Sequence, residues 1–310
     1  MNFKKIFIIT AIVFAVLISV YYLLNPENKT LNKSERTKLG GTYIQLSDGF
    51  THYSLSGNDS SKLVVLVHGG TIPIWTWDEL TKDLINAGYR VLSYDKYGRG
   101  YSDRPNITYN QELYKRQLLE LINKLELTNK FDLVGLSVGG GTVVNFTASY
   151  PEKVDKLVLI SPLINNFKLP EIFQIPIIGE FVARLVGVKT IVNRFNSFIE
   201  GNPKAEKYKK LFVEQSTYKG FQQSLLSMLR NDAVRDYTKA YEILGKQNRN
   251  ILLIRGNEDT EITTDMVDEI RSYLPKVKFK PIKGAGHGAV FQEPKVVSSL
   301  IINFLNINSL

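Results

Sequence analysis

The apolar and polar positions divide the chain into stretches of different character. Residues 6–24 carry no charge and are apolar almost throughout, long enough to cross a hydrocarbon core as a helix. Lys4 and Lys5 precede the run, and Tyr21 and Tyr22 stand where an interfacial aromatic belt would lie. A cleaved signal peptide would show a shorter apolar core ending in a small-x-small site. No such pair follows Leu17, so residues 6–24 are expected to be an uncleaved single-pass anchor in the lipid bilayer, after a short tail at 1–5. Residues 25–40 are polar and read as a tether. Lys4 and Lys5 favour a cytoplasmic N-terminus, and the catalytic domain after the anchor is expected outside the cytoplasm, although Lys29, Lys33, Arg36 and Lys38 count the other way.

From residue 41 short apolar runs alternate with helical spacing. Thr42–Leu46 and Phe50–Leu55 read as strands joined by the turn Ser47-Asp48-Gly49. Leu63–Val67 is apolar at every position, the mark of a strand buried on both faces. Trp77–Ala87 has helical spacing and stops at Gly88. Strands follow at Val91–Tyr94, Phe131–Val134 and Lys156–Ile160, with a helix at Leu113–Leu127. The rhythm then breaks. Between 163 and 245 no buried strand is evident, only helical stretches at Phe173–Val186, Lys204–Gln215 and Phe221–Leu229. It resumes with a strand at Ile251–Arg255, a helix at Thr264–Tyr273, a strand at Val277–Ile282 and a helix at Pro294–Leu305. These spacings predict an α/β fold, a mostly parallel sheet with helices on both faces. The core is expected over 41–162 and 246–310, and the interruption at 163–245 is an inserted helical cap.

Composition narrows the chemistry. The chain has no cysteine, which excludes disulfides, thiolate metal sites and a cysteine nucleophile. Its net charge of +9 comes from scattered lysines and arginines without interleaved aromatics, so a solvated surface is expected and no nucleic-acid partner.

The chemistry-bearing stretch is Gly135-Leu136-Ser137-Val138-Gly139, between a predicted strand and a predicted helix. A serine on so tight a turn has strained dihedrals, and side chains two before and two after it would collide with it. The following helix aims its free N–H groups at the hydroxyl. Serine needs a base, and the base an orienting acid. Of the histidines, His52 lies within a strand and His68 shapes a loop after one. His287 lies in Gly284-Ala285-Gly286-His287-Gly288, after the last strand, where open α/β sheets place functional groups. It is the expected base. Glu258, Asp259 and Glu261 are candidate acids after Ile251–Arg255, with Asp259 favoured and Glu258 the alternative if the turn shifts by one. The Val138 N–H and one from His68-Gly69-Gly70-Thr71, assigned to Gly70, would hold an oxyanion.

Taken in order, these motifs resemble the α/β-hydrolase superfamily, in the branch with a cap after the sixth strand. The likeness covers about 41–308. It rests on His68-Gly69-Gly70 with Trp77, on Asp95-Lys96-Tyr97-Gly98-Arg99-Gly100-Tyr101-Ser102-Asp103, on the turn at Ser137, on Gly256-x-x-Asp259, and on Gly286-His287 followed by Glu293-Pro294. The resemblance implies an eight-stranded sheet whose second strand is antiparallel, no metal and no organic cofactor, and a mainly structural role for Asp95, Arg99, Ser102 and Asp103. The expected activity is cleavage of small-molecule carboxylic esters through an acyl-enzyme, with an apolar acyl pocket under the cap as the sharper form. Carbon–carbon bond hydrolases and aminopeptidases share the triad. A non-catalytic binding protein on this scaffold is the alternative from another class. Haloalkane dehalogenases and epoxide hydrolases carry aspartate where Ser137 stands. The cap matches no motif, so the likeness implies no particular ester.

Overall fold

The apolar runs become one sheet. In a computed structural model, which describes residues 3–23, 25–165 and 169–306, the strands are β1 (Thr42–Leu46), β2 (Gly49–Ser56), β3 (Leu63–Val67), β4 (Arg90–Tyr94), β5 (Phe131–Leu136), β6 (Val154–Ile160), β7 (Ile251–Gly256) and β8 (Lys278–Ile282). Their order is β1-β2-β4-β3-β5-β6-β7-β8 in an eight-stranded sheet. β2 is antiparallel to β1 and β4, and all other pairs are parallel. Parallel neighbours need crossover connections, and these carry the helices that cover both faces. Every residue of β3, β5 and β7 is therefore buried. Side chains alternate across the sheet with a period of two. Val65, Val67 and Leu133 enter one core with Leu118 and Val143. Val64, Leu66 and Val134 enter the other with Leu84 and Ile301.

The elements differ from the sequence reading in instructive places. The helix expected over Leu113–Leu127 forms over Gln111–Lys124, because the Asn110 side chain accepts the Leu113 N–H at 2.8 Å and caps the helix start. The stretch Phe173–Val186 is not one helix. It is a 3-10 turn at Glu171–Gln174, an α-turn at Ile178–Val182 and a π-turn at Ala183–Gly187, leading into a helix at Val188–Phe198. Pro176 explains the break. The residue before a proline avoids helical dihedrals, and Ile175 is extended at ψ 120°. Among the described residues the remaining α-helices between β6 and β7 are Ala205–Gln215, Phe221–Arg230 and Thr238–Gly245, with a 3-10 turn at Asp232–Val234.

Residues 25–40 do not behave as a free tether. Lys33–Leu39 is helical. Lys29 bridges to Tyr218, its N–H donating to the Thr217 carbonyl at 3.0 Å. Glu27 accepts the Gly220 and Gln222 N–H groups at 3.0 and 2.7 Å, capping the helix Phe221–Arg230 with a carboxylate. Arg36 pairs with Asp103. Polar composition suggested solvation, but these side chains have partners far away in sequence.

Phe3–Leu23 is a single helix of 21 residues, with mean hydropathy 2.7 in its most apolar window and an apolar surface exposed along its length. It is long and apolar enough to cross a membrane, a test that a signal sequence also passes. Met1 and Asn2 of the expected tail, Leu24 of the expected anchor, residues 166–168 of the expected cap and residues 307–310 of the expected core lie outside the described residues.

Candidate active site

The parallel strands end on one edge of the sheet, and the functional groups gather there. After β5, Ser137 sits at φ 54° and ψ −120°, ahead of the helix Val138–Ser149. This dihedral region is costly for a non-glycine residue and is kept where surrounding structure enforces it. The flanking glycines enforce it for a reason other than the one the sequence suggested. A Cβ at Gly139 would stand 2.3 Å from the Val67 carbonyl oxygen and 2.4 Å from that of His68, both at the end of β3. A Cβ at Gly135 would meet the Gly139 carbonyl oxygen at 2.5 Å. The collisions are with neighbouring backbone, not with the serine.

After β7, the chain turns back toward β8. A Cβ at Gly256 would lie 2.2 Å from the Ala285 carbonyl oxygen, so glycine here permits the β7 and β8 loops to touch. The Glu258 N–H then donates to Ala285 at 2.9 Å. Arg255 donates to the Asp259 and Ile262 carbonyls at 2.8 and 2.7 Å and clamps the turn between them. Asp259 is buried, and its Oδ2 lies 3.0 Å from His287 Nδ1. Its other oxygen accepts the Glu261 and Ile262 N–H groups at 2.9 and 3.0 Å. Burial pushes the Asp259 carboxyl up, but the His287 ring and the Ile262 N–H outweigh it and hold the group below its ordinary value. Glu258, the alternative acid, is exposed. Glu261 takes a different place, with Oε2 3.4 Å from His287 Nε2. Arg194, from the helix Val188–Phe198, grips that carboxylate with Nε and Nη2. Phe198 of the same helix packs on the imidazole with centroids 5.4 Å apart.

Gly70 and Val138 flank the serine. Among the described residues neither N–H has a protein acceptor. The loop carrying Gly70 is held from behind: Arg99 donates to the Gly70 carbonyl and Gln215 Nε2 to the Thr71 carbonyl at 2.9 Å. His68 braces its start. Its Nδ1 lies 2.8 Å from the Gly69 carbonyl oxygen, and its Nε2 accepts the Lys96 N–H at 2.9 Å. Burial depresses the His68 imidazole to about 3, which keeps it neutral. His52 pairs with buried Asp95 at 2.8 Å, just after β4, and is not among the residues that line the cavity with Ser137. Ser137, His287, Glu261, Gly70 and Val138 line one cavity of about 320 Å³ roofed by residues of the 169–191 stretch such as Phe173. Ser137 and His287 thus share a cavity, although no hydrogen bond joins them among the described residues.

A sequence model of the alpha/beta hydrolase fold matches residues 62–294. The chain belongs to the alpha/beta hydrolase family. This hydrolase is 23% identical over 278 residues to the AB hydrolase superfamily protein YisY of Bacillus subtilis, across 86% of this chain and 99% of that protein. It is 26% identical over 295 residues to 2-hydroxy-6-oxononadienedioate/2-hydroxy-6-oxononatrienedioate hydrolase 1 of Pseudomonas putida, across 85% of this chain and 95% of that one. Among solved structures it resembles a thermophilic esterase from Thermogutta terrifontis with a TM-score of 0.72 at 22% identity, covering 86% and 98% of the two chains.

Arg194, Phe198, Arg255 and Gln215 had no signal in the hydrolase sequence. Each acts through a partner distant in sequence or through a backbone carbonyl, which no spacing reveals. Among the described residues no group of His, Asp and Glu side chains could hold a metal ion.

Proposed function

We propose that this alpha/beta hydrolase is a membrane-anchored serine hydrolase that cleaves carboxylic esters with apolar acyl groups, with its catalytic domain outside the cytoplasm. The observation that carries the reading is the hydrogen bond that Asp259 Oδ2 accepts from His287 Nδ1 beside a cavity that Ser137 also lines. Ser137 Oγ attacks the ester carbonyl while His287 Nε2 takes its proton. Asp259 keeps the proton on Nδ1 and offsets the imidazolium charge. The Gly70 and Val138 N–H groups receive the developing oxyanion, each contributing about 2.7–4 kcal/mol to lowering the barrier. His287 returns the proton to the leaving alcohol. Water then enters and attacks the acyl carbon as His287 takes its proton. The bond to Ser137 Oγ breaks, His287 returns the proton to that oxygen, and the acid is released. In the resting site Glu261 faces Nε2, and Arg194 balances its charge.

The test is turnover of p-nitrophenyl esters of graded chain length by the full chain in detergent, with Ser137→Ala beside it. The reading expects faster turnover of octanoate than acetate and a loss of at least about 1,000-fold in the variant. Turnover retained in the variant, or none by the unaltered chain on any ester, would overturn it.

A further inference from the structure

The segment that roofs the cavity also turns apolar side chains outward. Ile172, Ile175, Ile177, Ile178, Leu185 and Val186 are each at least 40% exposed. Among the other described residues, apart from the N-terminal helix, exposed large apolar side chains are scattered singly, as at Val213 and Ile243. Single exposed residues are ordinary, but a contiguous patch marks an interaction surface. Ile177 stands at its tip, 83% exposed and at φ 69°. A β-branched residue at positive φ is strained, and glycine would relieve the strain. The position holds isoleucine, displayed to the outside.

The position of this patch relative to the N-terminal helix follows from a short leash. The helix ends at Leu23, and Glu27 is already fastened to the start of the helix Phe221–Arg230. Four residues reach at most about 14 Å. The end of the helix itself touches the patch. The Tyr21 ring stacks on Phe181 with centroids 6.3 Å apart, and the Arg184 guanidinium lies 4.0 Å from the Tyr21 centroid. An aromatic ring beside a cation at the end of an apolar helix is the chemistry of a membrane–water interface. The level at which the helix would leave a bilayer is therefore the level of residues 172–186.

We infer that the segment 171–188 is a membrane-docking surface, seated in the interface of the same bilayer that the N-terminal helix enters, and that it passes acyl-chain esters from that bilayer to Ser137. Its outer face contacts lipid while Phe173, Ala183, Gly187 and Val188 of the same segment line the cavity. The route from lipid to nucleophile is then one segment thick. The nature of the delivered molecule rests on the ester-hydrolase reading; the docking itself does not.

The chain has no cysteine, so Ile177→Cys offers one labelling site. The full chain carrying an environment-sensitive fluorophore there is placed in nanodiscs of equal parts phosphatidylcholine and phosphatidylglycerol. The comparison label is at Asn129→Cys, which precedes β5 on the opposite edge of the sheet. With spin-labelled lipids in the disc, the label at 177 should lose most of its fluorescence and that at 129 should keep it. Equal, weak quenching at both positions would overturn the docking surface. In the same discs, Ile175→Asp with Ile177→Asp should slow hydrolysis of a bilayer-embedded fluorogenic acylglycerol roughly tenfold. Hydrolysis of soluble p-nitrophenyl butyrate should be unchanged, since neither residue lines the cavity. Equal rates on the acylglycerol would overturn delivery through this face. If the unaltered chain hydrolyses neither ester while the 177 label is quenched, the hydrolase reading fails and the docking surface stands.

Discussion

The sheet edge and the stretch between β6 and β7 treat their apolar residues in opposite ways. β3, β5 and β7 bury every residue, and the loops after them hold Gly70, Ser137 and Asp259 in place through close backbone contacts, with His287 in the loop after β8. In the stretch 171–187, only Gly179 is buried. The first region uses apolar surface to fix geometry. The second spends little of it on its own packing and leaves it facing the cavity or the outside. On the proposed reading, the chemistry depends on the sheet edge and the choice of substrate on the stretch above it.

The sharpest way to break that division is at the acid. Asp259→Asn keeps the shape but leaves the wrong ring nitrogen protonated, and kcat on p-nitrophenyl esters should fall by roughly 10,000-fold with KM little changed. The same variant carries a pH signature. The Asp259 carboxyl is held below its ordinary value of about 3.9, so its ionised form stabilises the fold above that pH and the contribution is lost as pH falls through the depressed value. The stability difference between wild type and variant, read from urea midpoints, should be full near neutrality and shrink on acidification. A difference independent of pH would contradict the assignment.

A smaller contrast lies in packing. Leu133 of β5 is fully buried, and Leu133→Ala should cost about 2–5 kcal/mol in denaturant unfolding. Ile175→Ala, at a position 47% exposed, should change stability by less than about 0.5 kcal/mol. Comparable costs at the two positions would mean that the outer stretch is core after all.

The two regions also differed in how far they could be read from sequence. Thr264–Tyr273 and Pro294–Leu305 form over the expected residues because their start signals are local: Thr263 caps one, and Pro294 begins the other. The strand-to-helix turn at Ser137 was legible for the same reason, since its glycines lie within two residues. Pro176 was visible too, but the apolar spacing of Phe173–Val186 suggested one helix, and the proline dihedral preference overrode it. Arg194 on Glu261 and Glu27 on the helix at Phe221 were not legible. Each is an ion or capping contact made across many residues, and nothing in either neighbourhood names its partner. Glu261 itself was among the acids considered, yet its place at Nε2 rather than Nδ1 depends on the turn that Arg255 clamps.

The central claim is that Ser137 is a nucleophile activated by His287. The most direct measurement is the rate at which the full chain reacts with a fluorophosphonate, with the modified peptide identified by mass. The account predicts a single adduct on Ser137, formed at least about 100-fold more slowly in His287→Ala, as expected when a general base is removed. No adduct, an adduct elsewhere, or an unchanged rate in the histidine variant would contradict it.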